Sequence, residues 1–154
     1  MHLTDLCNDL IEIPVYAGTI TVTGLAVDSS RVKAGDIFFA IAGTQYDGRD
    51  FIKNAIEAGA VAVVTSSAPL AKPLITMANC AKIPILQCDN PRHIMAQMAA
   101  RIWPSQPGMV AAVTGTNGKT STTEFLRQLW QRATWQAVAI GTLGITGTDM
   151  IKAE

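Results

Sequence analysis

The sequence predicts an α/β fold, in which the strands of a mainly parallel sheet are joined by helices. Short apolar runs alternate with segments of helical periodicity along all 154 residues, a pattern typical of strands and crossover helices. Apolar residues make up 49% of the chain and charged residues 16%, which excludes a disordered chain because enough apolar surface is available for a core. An apolar run, a glycine-bearing turn and a helical segment also follow one another directly at residues 109–133.

Six short apolar runs predict the strands of this fold. In the first run the two-residue apolar period slips by one position at Gly24, which predicts a β-bulge there. The runs span residues 20–27, 37–41, 61–65, 83–88, 109–114 and 137–140.

Three helices are predicted from apolar side chains that recur on one helical face, and each face is expected to pack on the core. The first helix has Asp50 as its candidate cap and ends at Gly59. The second has Asn90 as cap and Pro91 at its first position. The apolar faces comprise Phe51, Ile52, Ala55 and Ile56, then Ile94, Met95, Met98, Ala99 and Ile102, and finally Phe125, Leu126, Leu129, Trp130 and Ala133.

The segment 103–108 separates a predicted helix from a predicted strand and contains two prolines and a glycine. We therefore expect one α/β domain at residues 1–105 and a second domain that begins in residues 106–154. The second part holds one strand, a loop, a helix and one more strand, too few to complete a sheet. We expect its sheet edge and the face around Phe125 to be partly uncovered.

The charge balance and the cysteines exclude several classes of protein. Twelve basic and twelve acidic side chains cancel, which disfavours a nucleic-acid-coating protein or a polybasic membrane binder. The three cysteines form no C-x-x-C pair, so neither a disulfide framework nor a zinc site is indicated, and a reducing cytoplasm is favoured. Asp5 and Asp9 stand where a secretory signal needs basic and then apolar residues. No apolar run approaches the roughly 20 residues of a membrane-spanning helix.

The loop at residues 115–121 carries the strongest functional signal. It reads Gly-Thr-Asn-Gly-Lys-Thr-Ser between a predicted strand and a predicted helix, so that successive amide groups and the positive end of the helix dipole face one point. Such a loop binds phosphate: Lys119 is expected to reach the β- and γ-phosphates of a nucleoside triphosphate, and the Thr120 hydroxyl to hold Mg²⁺. Val113 occupies the place of the first glycine in the common pattern G-x-x-x-x-G-K-[ST], which makes this loop a variant.

Two polar loops, residues 28–36 and 43–50, follow predicted strands in the first domain. Open parallel sheets bind ligands outside the carboxyl ends of their strands. Aspartate, serine and glycine in such loops also serve as turn and cap residues, so these loops alone leave both interpretations open.

Taken with the phosphate loop, these segments resemble the Mur ligases, ATP-dependent enzymes that add amino acids to the peptide of the cell-wall precursor. Four family blocks occur in order: D-S-R-x-V-x-x-G-D-[LI]-F-x-A at residues 28–40, G-x-x-x-D-G at 43–48, A-x-x-x-G-A at 55–60 and T-G-T-N-G-K-T at 114–120. Ser30 stands where the family usually has arginine, with Arg31 next to it, and the sequence leaves open whether Arg31 takes over that role.

Within the family, the linker 103–105 and the segment Gly-Thr-Leu-Gly at residues 141–144 favour the ligase that adds the third residue of the peptide. A ligase of the MurF type is the alternative. From a different class, a non-catalytic nucleotide-binding module is also considered, but it needs a complete nucleotide domain with an acidic Mg²⁺ ligand on a later strand.

The resemblance implies a site for each nucleotide. It places ATP on Gly115, Thr116, Asn117, Gly118, Lys119, Thr120 and Ser121, with Lys119 and Thr120 in the catalytic roles and Thr120 as Mg²⁺ ligand. It places the UDP part of the substrate on Val27, Ser29, Thr44, Gln45 and Tyr46.

The implied reaction joins meso-diaminopimelate or L-lysine to UDP-MurNAc-L-Ala-D-Glu through an acyl phosphate. In the family, the domain that binds the incoming amino acid follows these segments, and we expect a chain ending at Glu154 to be inactive alone. The family's diaminopimelate-selecting motif Asp-Asn-Pro-Arg occurs here at residues 89–92, where we expect it only to start a helix.

Overall fold

The computed structural model describes residues 1–44 and 46–147. The chain divides into two compact units, the first spanning Met1–Gln106 and the second beginning at Pro107. None of the described helices is both long enough and apolar enough to span a membrane.

The first unit is built on a four-stranded parallel sheet. Its strands are β1 (Gly24–Ala26), β2 (Asp36–Ala40), β3 (Ala62–Ser66) and β4 (Ile85–Cys88), and they lie in the order β1-β2-β3-β4. All three neighbouring pairs are parallel. The predicted strands at residues 37–41, 61–65 and 83–88 are therefore confirmed, with bounds shifted by one or two residues.

Helices cover both faces of this sheet. They are α1 (Leu3–Cys7), α2 (Ile52–Glu57), α3 (Lys72–Cys80) and α4 (Pro91–Ile102), and short 3₁₀ turns lie at Val15–Ala17, Ser29–Arg31 and Gly48–Phe51. Alternate residues of β2 serve opposite faces. Phe39 packs with α1 and α4, whereas Phe38 packs with Ile52 and Ala55 of α2. Burial on both faces is typical of a parallel sheet.

The first strand differs from its prediction. Strand β1 begins at Gly24, and its register with β2 is continuous, so the predicted bulge is not formed in it. Thr21 instead makes an isolated antiparallel bridge with His2, and the Val22 amide donates to the carbonyl of Met1 at 2.8 Å. The slip in apolar period marks the point where the chain exchanges one pairing partner for another.

The cap of α2 is also reassigned. Asp47 accepts a hydrogen bond from the Arg49 amide at 3.0 Å and so opens the 3₁₀ turn that runs into α2, whereas Asp50 makes no capping hydrogen bond to any described residue. At the other end, Gly59 ends the helix as predicted, with φ +107°. The Gly59 amide bonds to the carbonyl of Ile56 and the Ala60 amide to that of Ala55, which together form a Schellman motif.

Helix α4 is confirmed with its cap, because the Asn90 side chain accepts from the His93 amide at 3.1 Å and Pro91 is the first helical residue. The copy of the selector motif therefore starts a helix, as expected. Helices α1 and α3 were not predicted. Both are short, and in α3 Ala78 is the one fully buried residue.

The second unit contains α5 (Lys119–Arg132) and an antiparallel hairpin of β5 (Ala139–Gly141) and β6 (Gly144–Thr146). Residues 109–114 form no strand, contrary to prediction, because no other described segment pairs with them. The apolar face of α5 is not buried in a core: Phe125 is 64% and Leu129 63% exposed. That exposure agrees with the expectation that this face is left partly uncovered.

The turn after α2 provides a test of the fold. A Cβ on Gly59 would lie 3.0 Å from the Ala34 Cα, and its positive φ is unfavourable for any other residue. We expect Gly59→Ala to lower the free energy of unfolding by about 1–3 kcal/mol in urea titrations. Gly108→Ala is the control because a Cβ there meets nothing within 4 Å, and it should change stability by less than about 0.5 kcal/mol. Equal effects of the two substitutions would contradict this assignment.

Candidate functional site

The loop before α5 keeps its amides available. Gly115 has φ +141° and Gly118 has φ +77°, values that residues with a side chain rarely adopt, and α5 begins immediately afterwards at Lys119. Within the part of the chain that the structure describes, no oxygen accepts a hydrogen bond from the amides of residues 115–121. Unpaired amides at a helix N-terminus form a binding site for an anion.

The surroundings of the loop leave space for such an anion. A Cβ built on Gly118 would meet nothing within 4 Å, and one on Gly115 would find the Asn117 carbonyl at 3.8 Å as its nearest atom. The glycines are therefore required by backbone conformation and not by crowding within this unit.

Lys119 lies folded over the same loop. Its ammonium group donates to the carbonyl of Gly115 at 2.5 Å and to that of Thr116 at 3.1 Å. An ammonium group has three hydrogens to donate, so one remains for a further acceptor beside these carbonyls. The ammonium group thus lies next to the unpaired amides, and its positive charge reinforces their partial positive charge.

Thr120 contributes a hydroxyl at the first turn of α5. Its Oγ1 lies 3.0 Å from the Oγ1 of Thr142, in the turn of the β5–β6 hairpin. No described group of three or more histidine, cysteine, aspartate or glutamate residues could hold a metal ion. A threonine hydroxyl is an oxygen ligand of the kind that Mg²⁺ takes in nucleotide sites, where phosphate oxygens and water supply most of the other ligands.

The hairpin is fastened to α5 through Glu124. The Thr146 hydroxyl donates to Glu124 Oε2 at 3.0 Å, and Arg127 forms an ion pair with the same carboxylate. The hydrogen bonds from Arg127, then Gln128 and Thr146, lower the pKa of Glu124 to about 2. The carboxylate is therefore charged over the whole physiological pH range.

An open cleft of about 410 Å³ lies in the first unit, beyond the carboxyl ends of β1 and β2. This is the place at which parallel sheets bind ligands. The residues that line it are Val27, Asp28, Ser29, Phe38, Ile41, Gly43, Thr44, Tyr46, Gly48 and Phe51.

The cleft combines an aromatic wall with polar loop residues. Tyr46 and Phe51 meet edge to face with their ring centroids 6.4 Å apart, and Tyr46 is 71% exposed. At Gly48 a Cβ would lie 2.6 Å from the Ile41 amide nitrogen, so glycine alone fits this close approach of two chain segments. An exposed aromatic side chain beside polar groups suits a flat heterocyclic ligand.

Ser30, which stands where the family usually has arginine, lies next to the cleft residues Asp28 and Ser29 and contacts Asp28. The Asp28 carboxylate accepts from the Ser30 hydroxyl at 2.7 Å and from the Ser30 amide at 2.9 Å. These two bonds hold the pKa of Asp28 below its usual range, and the bond from the Ser30 hydroxyl has the larger effect. Ser30 thus closes the turn that presents Ser29 to the cleft. Arg31 remains exposed, with its Nε 3.8 Å from Asp28.

The structure brings together most of the residues predicted for the UDP site. Val27, Ser29, Thr44 and Tyr46 line one cleft, and Gln45 lies outside the described residues. Sequence reasoning did not select the remaining lining residues. Gly43 and Gly48 could have been found from the spacing of their block. Phe38, Ile41 and Phe51 carry no such signal because they read as ordinary core positions.

The Glu124 contacts predict a pH dependence. Because the pKa of Glu124 is lowered in the folded state, its stabilising contribution is complete above the usual value of 4.5 and is lost as the pH falls through about 2. Carboxyl-carbon NMR should therefore show Glu124 still ionised at pH 3, and Arg127→Met should move its titration upward. Arg132→Ala, which removes a cation from the same helix without a bond to Glu124, is the control. Titration of Glu124 near 4.5 in the unsubstituted chain would be the contrary result.

Comparison with known proteins identifies relatives for both units. A family model described as the Mur ligase family, catalytic domain, matches residues 21–103, and one described as the Mur ligase middle domain matches residues 113–153. The UDP-N-acetylmuramoyl-L-alanyl-D-glutamate–2,6-diaminopimelate ligase of Bradyrhizobium diazoefficiens is 43% identical over 145 residues, which cover 94% of this chain and 28% of the relative. The ligase of the same name from Zymomonas mobilis is 46% identical over 124 residues, 80% of this chain and 24% of the relative.

Solved structures agree in fold. A 2,6-diaminopimelate ligase with the same substrate in its name superposes with a TM-score of 0.66 at 22% identity, over 94% of this chain and 28% of that chain. The MurF ligase of Thermotoga maritima, in complex with ADP, gives a TM-score of 0.51 at 27% identity, over 73% of this chain and 24% of that chain. The chain thus spans about 28% of the length of the first of these relatives. Because the catalytic-domain model alone matches more than half of its residues, the chain belongs to the Mur ligase family.

Proposed function

We propose that this chain is part of a MurE-type ligase, which joins 2,6-diaminopimelate to UDP-MurNAc-L-Ala-D-Glu with the energy of ATP. The observation that carries the proposal is the set of unpaired amides before α5, with Lys119 beside it, in a member of this ligase family. Three relatives that are 40–43% identical over 94% of this chain are named as diaminopimelate ligases, which favours diaminopimelate over lysine as the amino acid added.

The two units divide the binding work in this proposal. We assign residues 1–105 to the domain that binds the UDP end of the substrate and residues 106–154 to the start of the domain that binds ATP. Val27, Ser29, Thr44, Gln45 and Tyr46 would contact UDP, and residues 115–121 would contact ATP. The ADP held by the MurF structure supports a nucleotide at the second site.

The chemistry follows from charge. The γ-phosphoryl group of ATP passes to a substrate carboxylate, giving an acyl phosphate and ADP, and the amine of diaminopimelate then displaces phosphate to form the amide. Two anions must meet in the first step, so positioning and charge neutralisation dominate such catalysis. The Lys119 ammonium and the loop amides would neutralise phosphate, and the Thr120 oxygen would hold the Mg²⁺ that accompanies ATP.

A ligase of the MurF type is the second candidate, favoured by the 27% identity to the solved MurF structure. The relatives named as diaminopimelate ligases reach 43% over nearly the whole chain and place it second. We further propose a cytoplasmic location, which the three free cysteines support because a reducing compartment keeps thiols unpaired.

Separate titrations with ATP and UDP test the phosphate loop. Lys119→Ala should weaken ATP binding by roughly 10-fold or more, because it removes charge-assisted hydrogen bonds to phosphate, and should leave UDP binding unchanged. Isothermal titration calorimetry of the chain measures both affinities. If Lys119→Ala weakened the binding of both nucleotides, or of neither, the result would argue against two independent sites.

The cleft is tested by an aromatic substitution. Tyr46→Ala should weaken UDP binding by about 3- to 10-fold through loss of its ring contact, and should leave ATP binding unchanged. Tyr16→Ala is the matched control, because Tyr16 is also an exposed tyrosine of the first unit but does not line the cleft. If the two substitutions affected UDP binding equally, or neither did, the cleft would not be the UDP site.

A further inference from the structure

Thr142 lies at the contact between the β5–β6 hairpin and the phosphate loop. Its Oγ1 is 3.0 Å from Oγ1 of Thr120, which is the Mg²⁺ ligand in the proposed function. Thr142 comes directly after β5, 22 positions along the chain from Thr120, so tertiary structure creates this contact.

The contact matters because of how a hydroxyl binds a cation. The oxygen offers its lone pairs to the metal, so its hydrogen must point away and requires an acceptor of its own. The neighbouring Lys119 ammonium can only donate hydrogen bonds and cannot fill this role. The Thr142 hydroxyl oxygen can accept, and it lies at hydrogen-bond distance.

We propose that Thr142 is a positioning residue, which accepts the hydrogen of the Thr120 hydroxyl and so turns the lone pairs of Thr120 toward the Mg²⁺ of Mg·ATP. The inference rests on the proposed function, because it concerns the same nucleotide site. Thr142 contacts neither ATP nor the metal in this scheme. It acts through Thr120, in the way that partners of metal ligands commonly orient those ligands.

The hairpin is held in place independently of this contact. Thr146 donates to Glu124 one helical turn after Thr120, and Gln131 Nε2 donates to the carbonyl of Ala137 at 3.2 Å. The hairpin therefore has attachments to α5 on both sides of its turn, one just before β5 and one at the end of β6. Loss of the Thr142 hydroxyl should leave the hairpin where it is, which allows its effect on Thr120 to be measured separately.

The test compares the ATP affinity of the chain in EDTA with that in saturating Mg²⁺, measured by isothermal titration calorimetry. The ratio of the two dissociation constants is the Mg²⁺-dependent gain. Thr142→Val removes the hydroxyl at nearly constant shape, Thr142→Ser keeps it, and Thr120→Val marks the loss of the metal ligand itself. Thr76→Val is the matched control, since Thr76 is an exposed helical threonine of the first unit.

We expect Thr142→Val to reduce the Mg²⁺-dependent gain by about 10-fold, with the affinity in EDTA unchanged. Thr142→Ser should retain the gain, and Thr76→Val should equal the unsubstituted chain. The inference is overturned if Thr142→Val leaves the gain unchanged or raises it, or if Thr142→Ser is as defective as Thr142→Val. Failure of the proposed function is a different result: the unsubstituted chain would then bind no ATP with or without Mg²⁺, and both proposals would fall together.

Discussion

Backbone hydrogen bonding is the constraint on which both units depend. In the first unit the parallel sheet pairs the amides and carbonyls of β1 to β4, and the chain can bury these strands on both faces because their polar groups are satisfied. In the second unit the amides of residues 115–121 have no partner in the described part of the chain. A polar group left unpaired at a helix terminus has to be satisfied by water or by a ligand. The same physical rule thus produces a core in one unit and a candidate binding site in the other.

Short polar turns shape the cleft of the first unit. Asp28 and Asp47 each accept an amide two residues later, which starts a 3₁₀ turn at the carboxyl end of a strand or loop. The first turn presents Ser29 to the cleft, and the second leads into α2. The Arg49 side chain also donates to Asp47, and these bonds hold the pKa of Asp47 below its usual range. Both carboxylates remain charged at neutral pH, so the turns that shape the cleft do not depend on small changes in pH.

The second unit shows the consequence of incomplete packing. Helix α5 carries an apolar face around Phe125 that no described element covers, yet its polar contacts are already in place. Glu124, Arg127 and Thr146 fix the hairpin, and the hairpin brings Thr142 to Thr120. Polar bonds between side chains therefore join the hairpin to the N-terminal half of this helix. In our proposal, the hairpin is the part of the unit that orients the Thr120 hydroxyl.

Local patterns determined much of this molecule. The strands at β2 to β4, the cap and proline of α4, the glycine that ends α2 and the glycine-bearing loop before α5 each depend on residues that are neighbours in sequence, and so could be predicted from it. The prediction of a strand at residues 109–114 was wrong because a strand requires a partner, and pairing is not encoded within one segment. The same reason explains the start of β1 at Gly24, where the chain changes partners, and the cap at Asp47, where a 3₁₀ turn precedes the helix. The sequence alone predicted which residues could bind phosphate, and it determined which loops leave the strand ends. Tertiary structure alone decided that Ser29 and Tyr46 line one cleft and that Thr142 reaches Thr120, because contacts between distant segments depend on how the chain folds back on itself.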